Sequence, residues 1–169
     1  SGPAFQRVTG SAVTAVMSRN YHKAESFANR HDIPKAYDRI ADLVEDPKVD
    51  AVYIATPPGA HLEAALATAK AGKPAYIEKP LGRSYEEALT IKEAFEEQHQ
   101  PLYVAFYRRA LPKVETLYAL LKHEAIGKVH GFRTILQKPR PAVTESDELP
   151  WRLKPEIAGG GLFMDLAPH

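Results

Sequence analysis

The chain has 169 residues, 44% of them apolar and 25% charged, which is the profile of a soluble globular protein long enough for one domain or parts of two. Its 22 lysines and arginines nearly cancel 21 aspartates and glutamates, so no field favours nucleic acid or an anionic membrane surface. The absence of cysteine excludes disulfides and thiolate catalysis and fits a reducing cytoplasm, and no apolar run approaches the ~20 residues of a membrane span.

In chain order, residues 11–17 read as a strand that ends at Ser18-Arg19-Asn20. Ala24, Phe27, Ala28 and His31 then recur at helical spacing, and Tyr37, Ile40, Leu43 and Val44 form a second apolar helix face. The continuous apolar run 51–55 fits a parallel strand buried on both faces, bounded by Thr56-Pro57-Pro58-Gly59. An alanine-rich helix over 61–71 follows, with Gly72 where a left-handed C-cap is expected. Residues 75–78 form the next strand, and Ser84 and Glu87 give a capping box for a helix bearing Ala88, Ile91, Ala94 and Phe95. Residues 102–107 read as another strand, and Pro112 stands in the first turn of a helix with Val114, Leu117, Tyr118 and Leu121 on one face.

This alternation predicts an α/β fold, a doubly wound parallel sheet of Rossmann type, over residues 1–126. After Gly127 the pattern changes: 129–137 reads as a longer strand that begins to alternate, and 138–155 is rich in proline and charge. Residues 127–169 therefore read as the start of a second, α+β domain. A dinucleotide-binding half ordinarily begins with a strand and Gly-x-Gly-x-x-Gly, yet Gly2 and Gly10 lack that spacing. The first strand of such a sheet lies at its centre, so a glycine-rich strand–turn–helix upstream of Ser1 is expected, as is more of the second domain beyond His169.

Chemistry concentrates in a few motifs. Tyr76-Ile77-Glu78-Lys79-Pro80-Leu81 sets an acid and an amine at the carboxyl end of a strand, where open α/β sheets bind their ligands. Thr56-Pro57-Pro58-Gly59-Ala60-His61 follows another strand; Tyr107-Arg108-Arg109 and Trp151-Arg152 come later. Gly159-Gly160-Gly161 precedes Asp165 and His169, which are four residues apart and would share a helix face.

These motifs, in this order, resemble the glucose–fructose oxidoreductase/inositol dehydrogenase/MocA family of nicotinamide-dependent oxidoreductases, and the resemblance runs from Ser18-Arg19 to His169. It implies a Rossmann domain followed by an α+β domain whose open sheet covers the active site and joins subunits into a homo-oligomer. It implies Lys79, Asp165 and His169 as the catalytic group: His169 takes the alcohol proton, Lys79 shares or orients it, and Asp165 holds the substrate. It further implies a cis Lys79–Pro80 peptide. Thr56, Pro57, His61, Glu78, Lys79, Arg109, Trp151 and Arg152 would line the cofactor. The family pattern Asp-x-Gly-x-His reads Asp165-Leu166-Ala167-Pro168-His169 here, so Ala167 replaces a glycine.

Cofactor choice is read from Ser18 and Arg19. An NAD-preferring half carries an acid at this strand end, whereas a guanidinium pairs with a 2′-phosphate, which favours NADP(H) over NAD(H). The expected activity is hydride transfer between a nicotinamide and a secondary alcohol of a carbohydrate, polyol or diol, in the cytoplasm and without a metal. The alternative is a regulatory protein that senses a dinucleotide without turnover; it would need none of Lys79, Asp165 and His169.

Overall fold

The computed structural model describes residues 2–135, 137 and 149–167. A short helix α1 (Gly2–Phe5) is followed by strand β1 (Ala15–Met17), helix α2 (Tyr21–Arg30), strand β2 (Lys35–Tyr37) and helix α3 (Ile40–Glu45). Strand β3 (Val52–Ile54), helix α4 (His61–Lys70), strand β4 (Ala75–Ile77), helix α5 (Tyr85–Glu97) and strand β5 (Leu102–Val104) continue the alternation. Helix α6 (Pro112–Lys122) comes next, then α7 (Pro155–Ala158) and α8 (Gly161–Leu166). All strand pairs are parallel: β1 pairs with β2, and β3, β4 and β5 form a second sheet in that order. The βαβα grammar thus yields the Rossmann-type α/β architecture.

Alternation within the strands decides which side is packed. Val52, Ile54, Ala75 and Ile77 are buried in a core shared with Ala65 and Ala69 of α4 and Ile91 and Phe95 of α5. Each large apolar side chain fully buried there contributes roughly 1.5–3 kcal/mol. The residues between them face the other way. Tyr53, Tyr76 and Tyr103 are register partners across β3, β4 and β5, with the rings of Tyr53 and Tyr76 stacked at 5.6 Å and Phe5 of α1 tilted against Tyr53 at 5.0 Å. The run 51–55 is therefore buried on one face only, with Tyr53 half-buried on the other.

Local signals act as the sequence predicts at several ends. Ser84 caps α5 by accepting from the Glu87 N–H at 3.3 Å, and Gly72 adopts φ +68° after α4. The Glu87 carboxylate reaches back one residue further than a capping box requires, to the Arg83 N–H at 2.7 Å. Asn20 caps α2 through its side chain, accepting from the Lys23 N–H.

Other expectations change. Tyr37 belongs to β2 rather than to the α3 face, because Lys35–Tyr37 find backbone partners in Ala15–Met17. The same three-pair ladder shortens the strand expected at 11–17, since only Ala15–Met17 meet a neighbour. The strand expected at 102–107 stops at Val104, and Tyr107–Ala110 form a 3₁₀ turn. Residues 129–135 and 137 form no strand: an extended segment becomes one only beside a partner that takes its N–H and C=O groups, and none stands there among the described residues. The Lys79–Pro80 peptide is cis.

Candidate functional site

Strands β3 and β4 end side by side, and the turns that follow them build the floor of a cleft of about 500 Å³. Ala55, Thr56, Pro57 and Pro58 come from the first turn, and Glu78, Lys79 and Pro80 from the second. Trp151, Arg152, Ala158, Gly161 and Asp165 form the opposite wall. The volume falls in the range of about 300–1,000 Å³ typical of small-molecule sites. The parallel register, which pairs Ile54 with Ile77, brings the two motifs together at the carboxyl ends of neighbouring strands.

Lys79 is the centre of this cleft. Only 9% of its side chain is exposed, and its ammonium lies 2.6 Å from Oδ1 of Asp165 while also donating to the Asp165 carbonyl. Arg152 approaches the second carboxylate oxygen of Asp165, Nε to Oδ2 at 3.5 Å, and its guanidinium stacks 4.3 Å over the Trp151 ring. One carboxylate is thus shared by two cations, and with Glu78 also in the lining the two cations of the cleft are balanced by two carboxylates. On the floor, Tyr53 donates its hydroxyl to Oε1 of Glu78 at 2.5 Å, which fixes that carboxylate against the sheet.

His61 occupies a different place from the one expected. Its ring is fully buried behind the cleft and is not part of the lining. Nε2 lies 2.8 Å from the Thr56 carbonyl, while Nδ1 lies 3.0 Å from that of Pro80 and 3.3 Å from that of Leu81. The imidazole ties the turn after β3 to the turn after β4. Arg109 also stays out of the cleft, its guanidinium 4.4 Å over the Phe106 ring. Both depart from the expected lining because their side chains are already engaged with neighbouring backbone or ring. Of the expected lining residues, Thr56, Pro57, Glu78, Lys79, Trp151 and Arg152 do meet at the cleft, and so does Asp165. His169 lies outside the described residues.

Ser18 and Arg19 lie apart from this group, at the carboxyl end of β1. Ser18 Oγ accepts from the Asn20 N–H at 3.3 Å, and Arg19 is exposed. A second cleft, of about 590 Å³, is lined there by Ser18, Asn20, His22 and Lys23 among others. Lys23, one turn into α2, adds a cation that the strand-end motif alone did not reveal. Tyr53 was likewise missed, although its place between the buried Val52 and Ile54 signals a side chain turned toward the opposite face.

The donor set at the main cleft fits a nicotinamide group. Trp151, Thr56, Pro57 and Lys79 line a space large enough for a flat ring and a small alcohol. Among the described residues, no helix is long and apolar enough to cross a membrane.

Comparison with known proteins places these features. A model described as an oxidoreductase family with an NAD-binding Rossmann fold matches residues 2–106, and one for the GFO/IDH/MocA C-terminal domain matches residues 114–169. The chain is 39% identical over 170 residues to "Oxidoreductase P35" of Formosa agariphila, covering 100% of this chain and 53% of the relative. It is 32% identical over 151 residues to trans-1,2-dihydrobenzene-1,2-diol dehydrogenase of Xenopus laevis, covering 89% of this chain and 44% of that protein. Among solved structures, levoglucosan dehydrogenase in complex with NADH and levoglucosan superposes with a TM-score of 0.82 at 32% identity, over 91% of this chain and 41% of that one. The chain spans about half, or less, of the length of these relatives.

Proposed function

We propose, for a chain that belongs to the glucose–fructose oxidoreductase/inositol dehydrogenase/MocA family of oxidoreductases, that it is the cofactor-binding part of a nicotinamide-dependent dehydrogenase acting on a secondary alcohol of a sugar, polyol or diol. The observation that carries this reading is the Lys79–Asp165 pair at the carboxyl ends of β3 and β4, 2.6 Å apart and half-enclosed by Trp151 and Arg152. Relatives named as dehydrogenases of levoglucosan and of a dihydrodiol support the substrate class. In this reading residues 1–126 hold the cofactor, and residues 127–169 begin the substrate domain.

A nicotinamide, when bound in the cleft lined by Thr56, Pro57, Lys79 and Trp151, would supply hydride acceptance or donation. The chain's own groups handle the oxygen. The Lys79 ammonium donates to the substrate hydroxyl oxygen and stabilises the negative charge that grows there as the C–H bond breaks. His169, four positions after Asp165, takes the hydroxyl proton and returns it in the reverse direction. Asp165 accepts from a neighbouring substrate hydroxyl and holds the Lys79 amine in place. Trp151 and the Thr56–Pro57 turn shield the reacting atoms from water.

Arg19 supports a preference for NADP(H). A guanidinium beside the adenosine ribose would give a bidentate partner for a 2′-phosphate, and Lys23 lines the cleft next to it in sequence. The test of the whole reading is a screen of the full chain against sugars, polyols and diols with each cofactor, following absorbance of the reduced nicotinamide. Turnover of at least one such alcohol is expected. Tight cofactor binding without turnover of any of them would favour a dinucleotide sensor instead.

A further inference from the structure

A strap of chain carries Asp165 to Lys79, and its seat on the Rossmann-type domain is built around Arg83. This arginine lies between the lysine turn and the Ser84 cap of α5. Its N–H donates to Oε2 of Glu87 at 2.7 Å, its Nε donates to Oε1 at 2.9 Å, and its Nη2 donates to the same oxygen. Held in that fork, the guanidinium has Nη1 aimed away from α5, and it donates to the Glu156 carbonyl at 2.7 Å. Glu156 is in α7, a four-residue helix whose carbonyls find few partners of their own.

Two glycines let α7 come this close. A Cβ at Gly159, where φ is +81°, would stand 2.6 Å from the Arg83 carbonyl oxygen and 2.9 Å from its Cα. A Cβ at Gly59 would stand 3.2 Å from the carbonyl oxygens of both Glu156 and Ile157. The helix is therefore wedged between the turn after β3 and the segment after β4, with Ala158 buried. From this wedge the chain passes through Gly160 into α8, which delivers Asp165 to Lys79.

We propose that Arg83, clamped by Glu87, is a positioning residue for the reaction: it seats α7 and thereby sets where Asp165 meets Lys79 and the substrate. The proposal rests on the catalytic reading above. It separates Arg83 from an ordinary surface i,i+4 ion pair, whose loss would change little. The arrangement needs a guanidinium rather than a charge alone, because an ammonium lacks the planar fork that grips Glu87 while a further N–H reaches Glu156.

The experiment compares Arg83→Met, Arg83→Lys and Gly159→Ala in the full chain by steady-state kinetics and by cofactor titration. For all three, kcat/KM for the alcohol is expected to fall by roughly tenfold to a hundredfold, the loss that follows a small misplacement of reacting groups. Cofactor affinity is expected to stay at the parent value. The double variant Arg83→Lys/Asp165→Asn should be no worse than Asp165→Asn alone, because both changes act on one carboxylate. Parent-like kcat/KM in Arg83→Lys, or full additivity in the double variant, overturns the proposal even if Arg83→Met fails to fold. Lys79→Ala run in parallel separates the two levels: parent-like turnover there overturns the catalytic reading itself. Loss in Lys79→Ala with parent-like Arg83 variants overturns only the clamp.

Discussion

The Lys79 ammonium and the Asp165 carboxylate lie 86 positions apart in sequence and 2.6 Å apart in space. The contact bridges the Rossmann-type sheet and the helix that follows the triple glycine. It places two groups of opposite charge where a substrate hydroxyl would displace part of their mutual bond. If Lys79 acts on the oxygen in the transition state, Lys79→Ala should lower kcat by about 10²–10⁴-fold, with a much smaller effect on cofactor affinity. Asp165→Asn, which keeps shape and removes charge, should raise substrate KM more than it lowers kcat. Steady-state kinetics beside fluorescence titration of the cofactor checks both. Near-parent turnover in Lys79→Ala would take the amine out of the mechanism.

Cofactor choice should follow Arg19. The parent is expected to favour NADP(H) over NAD(H) by roughly tenfold or more in kcat/KM, since a charge-assisted phosphate contact contributes about 1.5–3 kcal/mol. Arg19→Asp should reverse or erase that preference without altering the melting temperature, because the side chain is exposed. Equal kcat/KM for the two cofactors in the parent would count against the assignment.

Acid stability should carry the signature of Asp46. Its carboxylate, almost wholly buried, accepts from Lys35 Nζ at 2.8 Å, from the Tyr37 hydroxyl at 3.0 Å and from the Lys48 N–H at 3.0 Å. The Lys35 bond foremost, then the Lys48 N–H, hold the Asp46 pKa at about 2, below the ordinary carboxylate value of 3.8. A group depressed in the folded state stabilises above its unfolded pKa, and the benefit disappears as pH falls through its folded pKa. Stability should therefore decline between about pH 4 and pH 2, and Asp46→Asn should flatten that part of the profile while lowering the plateau. Urea midpoints measured across this range decide the matter; an unchanged slope in the variant would rule Asp46 out as the cause.

The core makes the plainest prediction. Phe95 is 1% exposed and packs with Ile77 and Ile91 beneath the central strand. Phe95→Ala should cost roughly 3–5 kcal/mol, whereas Ser84→Ala, which removes only the cap of the same helix, should cost about 1 kcal/mol. Equilibrium denaturation of the two variants would show the ranking, and a larger loss for Ser84→Ala would contradict it.

Much of this was legible in the sequence because the signals were local. The Ser84 cap, the Gly72 stop and the apolar spacing of Ile91 and Phe95 depend on near neighbours, and the structure has them in place. Strand β2 was not legible: Lys35-Ala36-Tyr37 has no alternation of its own and becomes a strand only because Ala15–Met17 lie beside it. The site divided in the same way. Lys79 and Asp165 stood out by motif, but the burial of His61 behind the cleft depends on carbonyls from three residues across two turns. Arg83 gave no signal at all, since its partner in α7 lies 73 positions away.

The buried His61 ring has a consequence for how this protein can vary. One imidazole braces the Thr56 turn on one side and the Pro80–Leu81 turn on the other. The turn that carries Thr56 and the turn that follows the Lys79 amine consequently share a single keystone. A change in the backbone of either loop is therefore passed to its neighbour through that ring.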